Sequence, residues 1–368
     1  MATQQTVAPA HGQVHLRRIL IGALVIVVIG AAATLAGWDL TGWFKHLWDT
    51  ITSVSLGYLL AGIALMTVQT TATAFAWYSI LRYGYPDSDV RWIQVLACYA
   101  AAVALNSVLP ANLGTLVMLL MFTTIIVSAT FAGVLAGMAV QKIFFTLIGT
   151  FCYLYLFLTV DGSFSIQLGF VAEHPWATVI LLGGVAMLLF LVGRSLRQRV
   201  KQWWGQAKAG AQILVHPRAF LGRVVLPEAI SWASMLGIMA VFLAAYDIPV
   251  SFHTLMRIVA GNSIANVSSV TPGGAGVVQG FNVLSLKGVT SASNATAYSV
   301  SQQLVTTAWG LLFAIVLLIR AFGWSDGKTL VTQSYGQARE KSAEQSAARK
   351  AKRQARHRPG FSSSSRRT

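Results

Sequence analysis

Two interrupted hydrophobic segments, one in each half of the chain, carry the residues best suited to chemistry. Each places asparagine before a proline and glycine after it, and we predict that both line a substrate site: Asn106, Pro110, Asn112 and Gly114 in the first, and Asn262, Asn266, Pro272, Gly273, Gly274 and Gly276 in the second. Proline lacks a backbone donor and obstructs the preceding helical turn. Backbone groups left unpaired at membrane depth must be buried in protein or line a wet cavity. Paired interruptions of this kind are typical of substrate sites in membrane proteins built from internal repeats.

Backbone and amide groups at these breaks predict a site for a negatively charged group. A helix that begins after the glycine-rich turn would point free N–H groups and its positive dipole end into the cavity. The asparagines, and Gln279 just beyond the turn, can either satisfy loose backbone groups or bind a ligand. The alternative is that each break is only a packing kink, and the matched pair disfavours it.

Positive charges at membrane depth form the second group of candidates. Lys142 follows Gln141 inside an apolar run, too far along it to reach the interface easily, and we predict that it contacts a phosphate. Arg257 lies where the second broken segment begins, and Lys287 lies near its end. Either of these two side chains can instead extend outward to the membrane surface.

Several functional classes are disfavoured by what the sequence lacks. All eleven carboxylates fall in loops, the tail or the ends of expected helices, Glu228 and Asp247 among them, so we expect no carboxylate relay within the membrane. We find no phosphate-binding loop, zinc-ligand spacing or nucleophile constellation, and we expect neither an enzyme nor a bound cofactor or metal. The expected cavity is polar and cationic, which suits an anionic amphiphile.

The composition requires a membrane protein. Of 368 residues, 55% are hydrophobic and 10% are charged, whereas soluble domains carry about 25% charged residues. We predict an all-α polytopic membrane protein with six spanning helices and two re-entrant broken-helix segments, because a span needs about 20 apolar residues. The expected spans are 19–37, 54–81, 131–158, 176–193, 224–246 and 293–320, and the broken regions are 92–128 and 255–288, each of which can also be read as two short spans.

Loop charges predict the orientation. By the positive-inside rule, the N-terminus (1–18), a basic linker (194–223) and a basic tail (321–368) are cytoplasmic. The units 54–158 and 224–320 then form inverted repeats whose breaks meet near the midplane. The linker reads equally well as an amphipathic surface helix or as a plain connection. We expect the tail to be disordered and to contact anionic inner-leaflet lipids rather than nucleic acid.

The sequence resembles the transmembrane flippase domain of lysylphosphatidylglycerol synthases. The resemblance covers most of residues 15–320 and rests on the segment from Asn106 to Gly114, on Gln141-Lys142 and on the segment from Pro272 to Gly276. It implies paired re-entrant segments around a lipid cavity and movement of a charged lipid between leaflets. Family members often carry glutamate at the position of Gln279, and Glu-Arg where this chain has Gln141-Lys142. The loss of both acids favours an anionic lipid, and no aminoacyl-transfer activity is expected because only a polar stretch follows the last helix.

These observations predict a lipid-transport domain over residues 19–320 of a cell-membrane protein. The expected function is a flippase or facilitator that moves an anionic phospholipid or a polyprenyl-phosphate-linked glycolipid between leaflets. The alternative is a non-transporting subunit that presents a lipid to a glycosyltransferase or another cell-envelope enzyme.

Overall fold

A computed structural model describes residues 54–109, 113–159, 205, 207–268 and 271–357. The expected spans 19–37 and 176–193, the N-terminal 1–18, and the predicted site residues Pro110 and Asn112 lie outside these residues. The described residues form helices and short turns, with no strand among them, which confirms the all-α fold class.

Two groups of helices follow one another in the same order: a long helix, a broken hairpin and a second long helix. The first group is α1 (Leu56–Gly84), α2 (Trp92–Val108), α3 (Leu113–Ile125) and α4 (Phe131–Thr159). The second group is α5 (Pro217–Ala245), α6 (Phe252–Ser268), α7 (Val277–Ser285) and α8 (Ala292–Phe322). Within the described residues, α1, α4, α5 and α8 are long and apolar enough to cross a membrane, so the four expected spans that fall on these residues are confirmed.

Helix α5 begins seven residues before the start that we predicted. Pro217 occupies its first turn, where a missing N–H costs nothing. A π-turn over Leu221–Val225 then precedes Pro227, which cannot donate to the helical ladder. The last part of the expected linker 194–223 therefore belongs to a membrane helix. Gly210, seven residues before the start of α5, packs directly against Gly133 and Gly137 of α4.

Both interrupted segments fold into helical hairpins. In the first hairpin, α2 and α3 pack against each other, and the approach is so close that a Cβ on Gly114 would lie 2.6 Å from Asn106 Oδ1. In the second hairpin, α6 packs against α7, with Gly261 facing the Phe281 carbonyl and Ser285. Gly114 thus lies where the first hairpin closes, and Pro272 and Gly273 mark the tip of the second.

The two groups contact each other through several pairs of helices, of which α1 and α5 run antiparallel. Gly62 of α1 contacts Phe242 of α5, whereas Leu65, further along α1, contacts the earlier residue Gly237. Helix α2 packs on α8, and α4 packs on α6, where the rings of Tyr155 and Phe252 are 5.0 Å apart. The first arm of each hairpin therefore rests on the last helix of the other group.

The basic tail differs from our expectation of disorder. Residues Trp324–His357 form a helix, α9, that packs on α3. Leu330, Ser334 and Ala338 are buried and recur every four residues, so a narrow stripe within a polar sequence faces the hydrophobic core around Met118. The charge of the tail predicts disorder because this short buried stripe is hard to recognise within a polar sequence.

Candidate functional site

The tips of the two hairpins meet. Gly273 lies against the carbonyl group of Ser107, close enough that a Cβ on Gly273 would overlap the carbonyl oxygen and lie 3.1 Å from the carbonyl carbon. This contact joins α2 to the turn between α6 and α7. The two breaks, far apart in sequence, therefore form one site.

A polar cavity of about 380 Å³ opens where the hairpins meet. Its walls come from the two hairpins and from α8, and their polar side chains are all neutral amides or hydroxyls: Asn106, Ser107, Asn262, Thr271, Asn282, Ser299, Gln302, Gln303, Thr306 and Thr307. The predicted cationic character is not found, because no lysine, arginine or carboxylate among the described residues lines this cavity.

Asn106 holds the first hairpin together and also faces the cavity. Its Oδ1 accepts a hydrogen bond of 3.2 Å from the Thr115 N–H, and its Nδ2 donates to Thr115 Oγ1 at 3.0 Å. The side chain therefore caps the first turn of α3 from the neighbouring helix. Of the two roles that the sequence left open for this residue, satisfying backbone groups is the one that the contacts show.

The second tip is a glycine turn with a dense set of hydrogen bonds. Gly273, Gly274 and Gly276 all have positive φ, at 58°, 73° and 83°, where other residues are strained. The Gly276 N–H donates to Gln279 Oε1 at 2.7 Å, and Gln279 Nε2 donates to Gln303 Oε1. Gln303 Nε2 donates in turn to the Gly273 carbonyl at 2.8 Å. This glutamine relay ties the turn to α8.

Two amide oxygens at the cavity have no hydrogen-bond partner. They are Oδ1 of Asn262 and Oδ1 of Asn282. Asn282 is only 2% exposed, and its Nδ2 donates to Ser299 Oγ at 2.7 Å. Buried amide groups are nearly always paired in proteins. Two free ones at a single cavity indicate a place for a hydrogen-bonding ligand.

The structure brings together some of the predicted site residues and separates others. Asn106, Asn262, Gly273 and Gly274 line the cavity, Gln279 braces its turn, and Pro272 starts the short helical turn at the tip. Asn266 lies in the last turns of α6, and Gly114 closes the first hairpin. Gly276 precedes α7, and a Cβ added to it would lie in open space.

Two predicted cations lie away from the cavity. Lys142 is at the protein surface, with its ammonium 5.2 Å from the centre of the Phe145 ring. Arg257 donates to the Lys287 carbonyl at 3.4 Å, near the ends of α6 and α7 that are remote from the tip. Sequence reasoning missed Asn282, Ser299 and the glutamines of α8. The adjacent pair Gln302-Gln303 inside an apolar helix was the available signal.

A second polar cluster joins α1, α4 and α5 around Glu228. This carboxylate is fully buried, at 0% exposure, and accepts from Gln141 Nε2 at 2.8 Å and from Thr73 Oγ1 at 3.4 Å. Thr73 Oγ1 also lies 2.7 Å from Ser231 Oγ, within hydrogen-bond distance. The expectation that carboxylates lie only at helix ends is wrong here, because α5 extends back to Pro217. Lys142 is close enough for its charge to act on Glu228.

Loss of the Lys142 charge should destabilise the protein through Glu228. We expect Lys142→Ala to lower the thermal unfolding midpoint in detergent, since the buried carboxylate loses a positive charge that acts on it. In a Glu228→Gln background the same change should cost much less, with a coupling of about 0.5–3 kcal/mol. Equal destabilisation in both backgrounds would show that the two charges do not interact.

One protein-family model matches a region of the chain that contains both hairpins. The model of the lysylphosphatidylglycerol synthase TM region matches residues 18–315, which include the cavity and the Glu228 cluster. Comparisons with curated proteins and with solved structures found no match. The match extends over most of the chain and implies a membrane function related to lipids. The chain therefore belongs to the family of the lysylphosphatidylglycerol synthase TM region.

Proposed function

We propose that this protein is a lipid flippase or facilitator of the cell membrane, without enzymatic activity of its own. The lipid headgroup occupies the cavity between the hairpin tips while the acyl chains stay in the bilayer. The candidate lipids are an anionic phospholipid and a polyprenyl-phosphate-linked glycolipid. The observation that carries this proposal is the contact of Gly273 with Ser107 beside a shared polar cavity.

The energetic argument concerns polar groups at membrane depth. A polar group without a partner in an apolar environment costs several kcal/mol, so a packed apolar core would be the cheaper solution if the site were only structural. Here two amide oxygens are free, and ten side chains with polar groups line the cavity. A polar headgroup that replaces its water shell with these groups can leave the interface at a much lower cost.

The proposed transport route uses the repeated arrangement of helices. The antiparallel contact of α1 with α5, which hold the same place in the two groups, supports inverted repeats in which each hairpin is re-entrant. Rocking one group against the other would expose the cavity to each leaflet in turn. The excess of lysine and arginine in the loops supports a cytoplasmic position for both termini, where the basic end of α9 can contact anionic lipids.

Leaflet exchange by the purified protein tests this function. We expect vesicles that contain the protein to exchange tail-labelled phosphatidylglycerol or a polyprenyl-phosphate glycolipid faster than protein-free vesicles, measured as the fraction of label accessible to an external quencher. Vesicles with an unrelated polytopic protein control for leakage and for bilayer defects. Exchange of neither lipid above this control would contradict transport and favour the subunit that presents a lipid to a cell-envelope enzyme.

A further inference from the structure

The chemistry of the cavity identifies the kind of headgroup more narrowly than the family does. We infer that the cavity between the hairpin tips takes an uncharged, hydroxyl-bearing headgroup, of which a glycosyl group on a lipid is the fitting class. This inference rests on the proposed function, because it names the substrate of that same site.

Charge is the first argument. A charged headgroup that enters the cavity gives up water, and desolvation of an ion is costly unless an opposite charge replaces that water. The described side chains that line the cavity offer none, since all of the polar ones are amides or hydroxyls. Lys142, Arg257 and Glu228 are not among the lining residues. An uncharged headgroup avoids this cost.

The unpaired amides are the second argument. A phosphate without a proton offers acceptors only, so in the amide orientation that the structure gives it cannot pair with Asn262 Oδ1 or Asn282 Oδ1, which are acceptors themselves. A hydroxyl donates and accepts. It therefore pairs with the free end of the Asn282 side chain whichever end of the amide faces Ser299. A polyol presents several such hydroxyls to the amide side chains that the two hairpins and α8 contribute to the cavity.

Size is the third argument. A volume of about 380 Å³ is at the lower end of the range of about 300–1,000 Å³ for small-molecule sites. It suits a headgroup and leaves no room for acyl chains. A separate, mostly apolar surface pocket begins on the other side of α7 and is lined by Val277, Phe281 and Leu284. The chains can therefore stay outside while the headgroup is held.

Competition between lipids that differ only in the headgroup tests the inference. The full-length protein, in a polyoxyethylene detergent that carries no sugar, is mixed with equal amounts of monoglucosyl diacylglycerol and phosphatidic acid with the same acyl chains. Native mass spectrometry should show at least a tenfold excess of the glucolipid-bound form. Equal binding, or a preference for phosphatidic acid, would overturn the inference. In vesicles, exchange of the glucolipid should be faster by a similar factor.

Variants link the preference to the cavity. Asn282→Leu replaces the unpaired amide with an apolar side chain of the same branched shape and should reduce glucolipid binding about tenfold. Ser299→Ala removes the same internal hydrogen bond but keeps the amide, so it should reduce glucolipid binding less than Asn282→Leu does. Val300→Leu, next to Ser299 on α8 but outside the lining of both pockets, controls for a size change near the site. Folded Asn282→Leu protein that binds the glucolipid like the wild type would overturn the inference.

Two further outcomes separate this inference from the proposed function. Glucolipid preference in binding without exchange of any lipid would support the inference and contradict transport. Exchange without preference for the glucolipid would support transport and contradict the inference. Soluble methyl glucoside distinguishes the source of the hydroxyls. Failure of a hundredfold excess to displace the glucolipid supports a lipid headgroup, whereas complete displacement would overturn the assignment to a lipid.

Discussion

Replacing Gly273 with alanine should abolish lipid exchange, the largest effect that we expect from a single added methyl group. The new Cβ would overlap the Ser107 carbonyl oxygen and lie 3.3 Å from Gln303 Nε2. Both neighbours are fixed. The Ser107 carbonyl is part of the backbone of α2, and Gln303 Nε2 already donates a hydrogen bond to the Gly273 carbonyl. The left-handed φ of 58° adds about 1–2 kcal/mol of strain for any residue with a Cβ. The hairpin tips must therefore separate, and the cavity loses one wall.

Gly276→Ala is the matched control for this variant. Gly276 also has a positive φ, at 83°, so alanine is strained there in the same way. However, a Cβ on Gly276 would meet nothing within 4 Å. We expect Gly276→Ala to keep measurable exchange and to lose about 1–2 kcal/mol of stability. The difference between the two variants isolates the contact between hairpins from backbone strain.

The vesicle exchange assay decides between them, with size-exclusion profiles to show that each variant is folded. If Gly273→Ala protein is folded and exchanges lipid at the wild-type rate, the contact between the tips has no part in transport. If both glycine variants lose exchange equally, strain in the turn is sufficient and the interhairpin contact is not needed to explain the loss.

The sequence predicted the positions of the two breaks because their causes are local. Pro272 and its glycines disfavour a continuous helix through their own backbone geometry, and Pro110 lies in the gap between α2 and α3. The expectation that the breaks meet came from loop charges and the repeated order of the elements. The contact of Gly273 with Ser107 agrees with it.

The cavity chemistry was not predictable in the same way, because it depends on which helix faces share a surface. Lys142 was the most prominent membrane-depth charge in the sequence, yet it lies on a face of α4 away from the cavity, beside Phe145. Asn282 and Ser299 are unremarkable in sequence and become important only because α7 packs on α8. The sequence predicts a helix end near Glu228 because the first two turns of α5 belong to a polar stretch that resembles a linker.

The second large effect is expected for Gln303→Leu. This side chain accepts from Gln279 and donates to the Gly273 carbonyl, so its loss leaves both groups without a partner in a partly buried turn. Each such unpaired group costs about 1–3 kcal/mol, which should lower the thermal unfolding midpoint. We also expect lipid exchange to fall by at least about tenfold, the factor that corresponds to 1.4 kcal/mol.

Two further variants show whether the relay is the cause. Gln302→Leu changes the neighbouring glutamine, which lines the cavity outside the relay, so its unfolding midpoint should fall much less than that of Gln303→Leu. Gln279→Leu breaks the same relay one step earlier, and the double variant should therefore cost less than the sum of the two single changes, by about 0.5–3 kcal/mol. Strict additivity would mean that the two glutamines act separately. The glycine turn would then be held by its own backbone, and α8 would have no means of transmitting its movement to the hairpin tips.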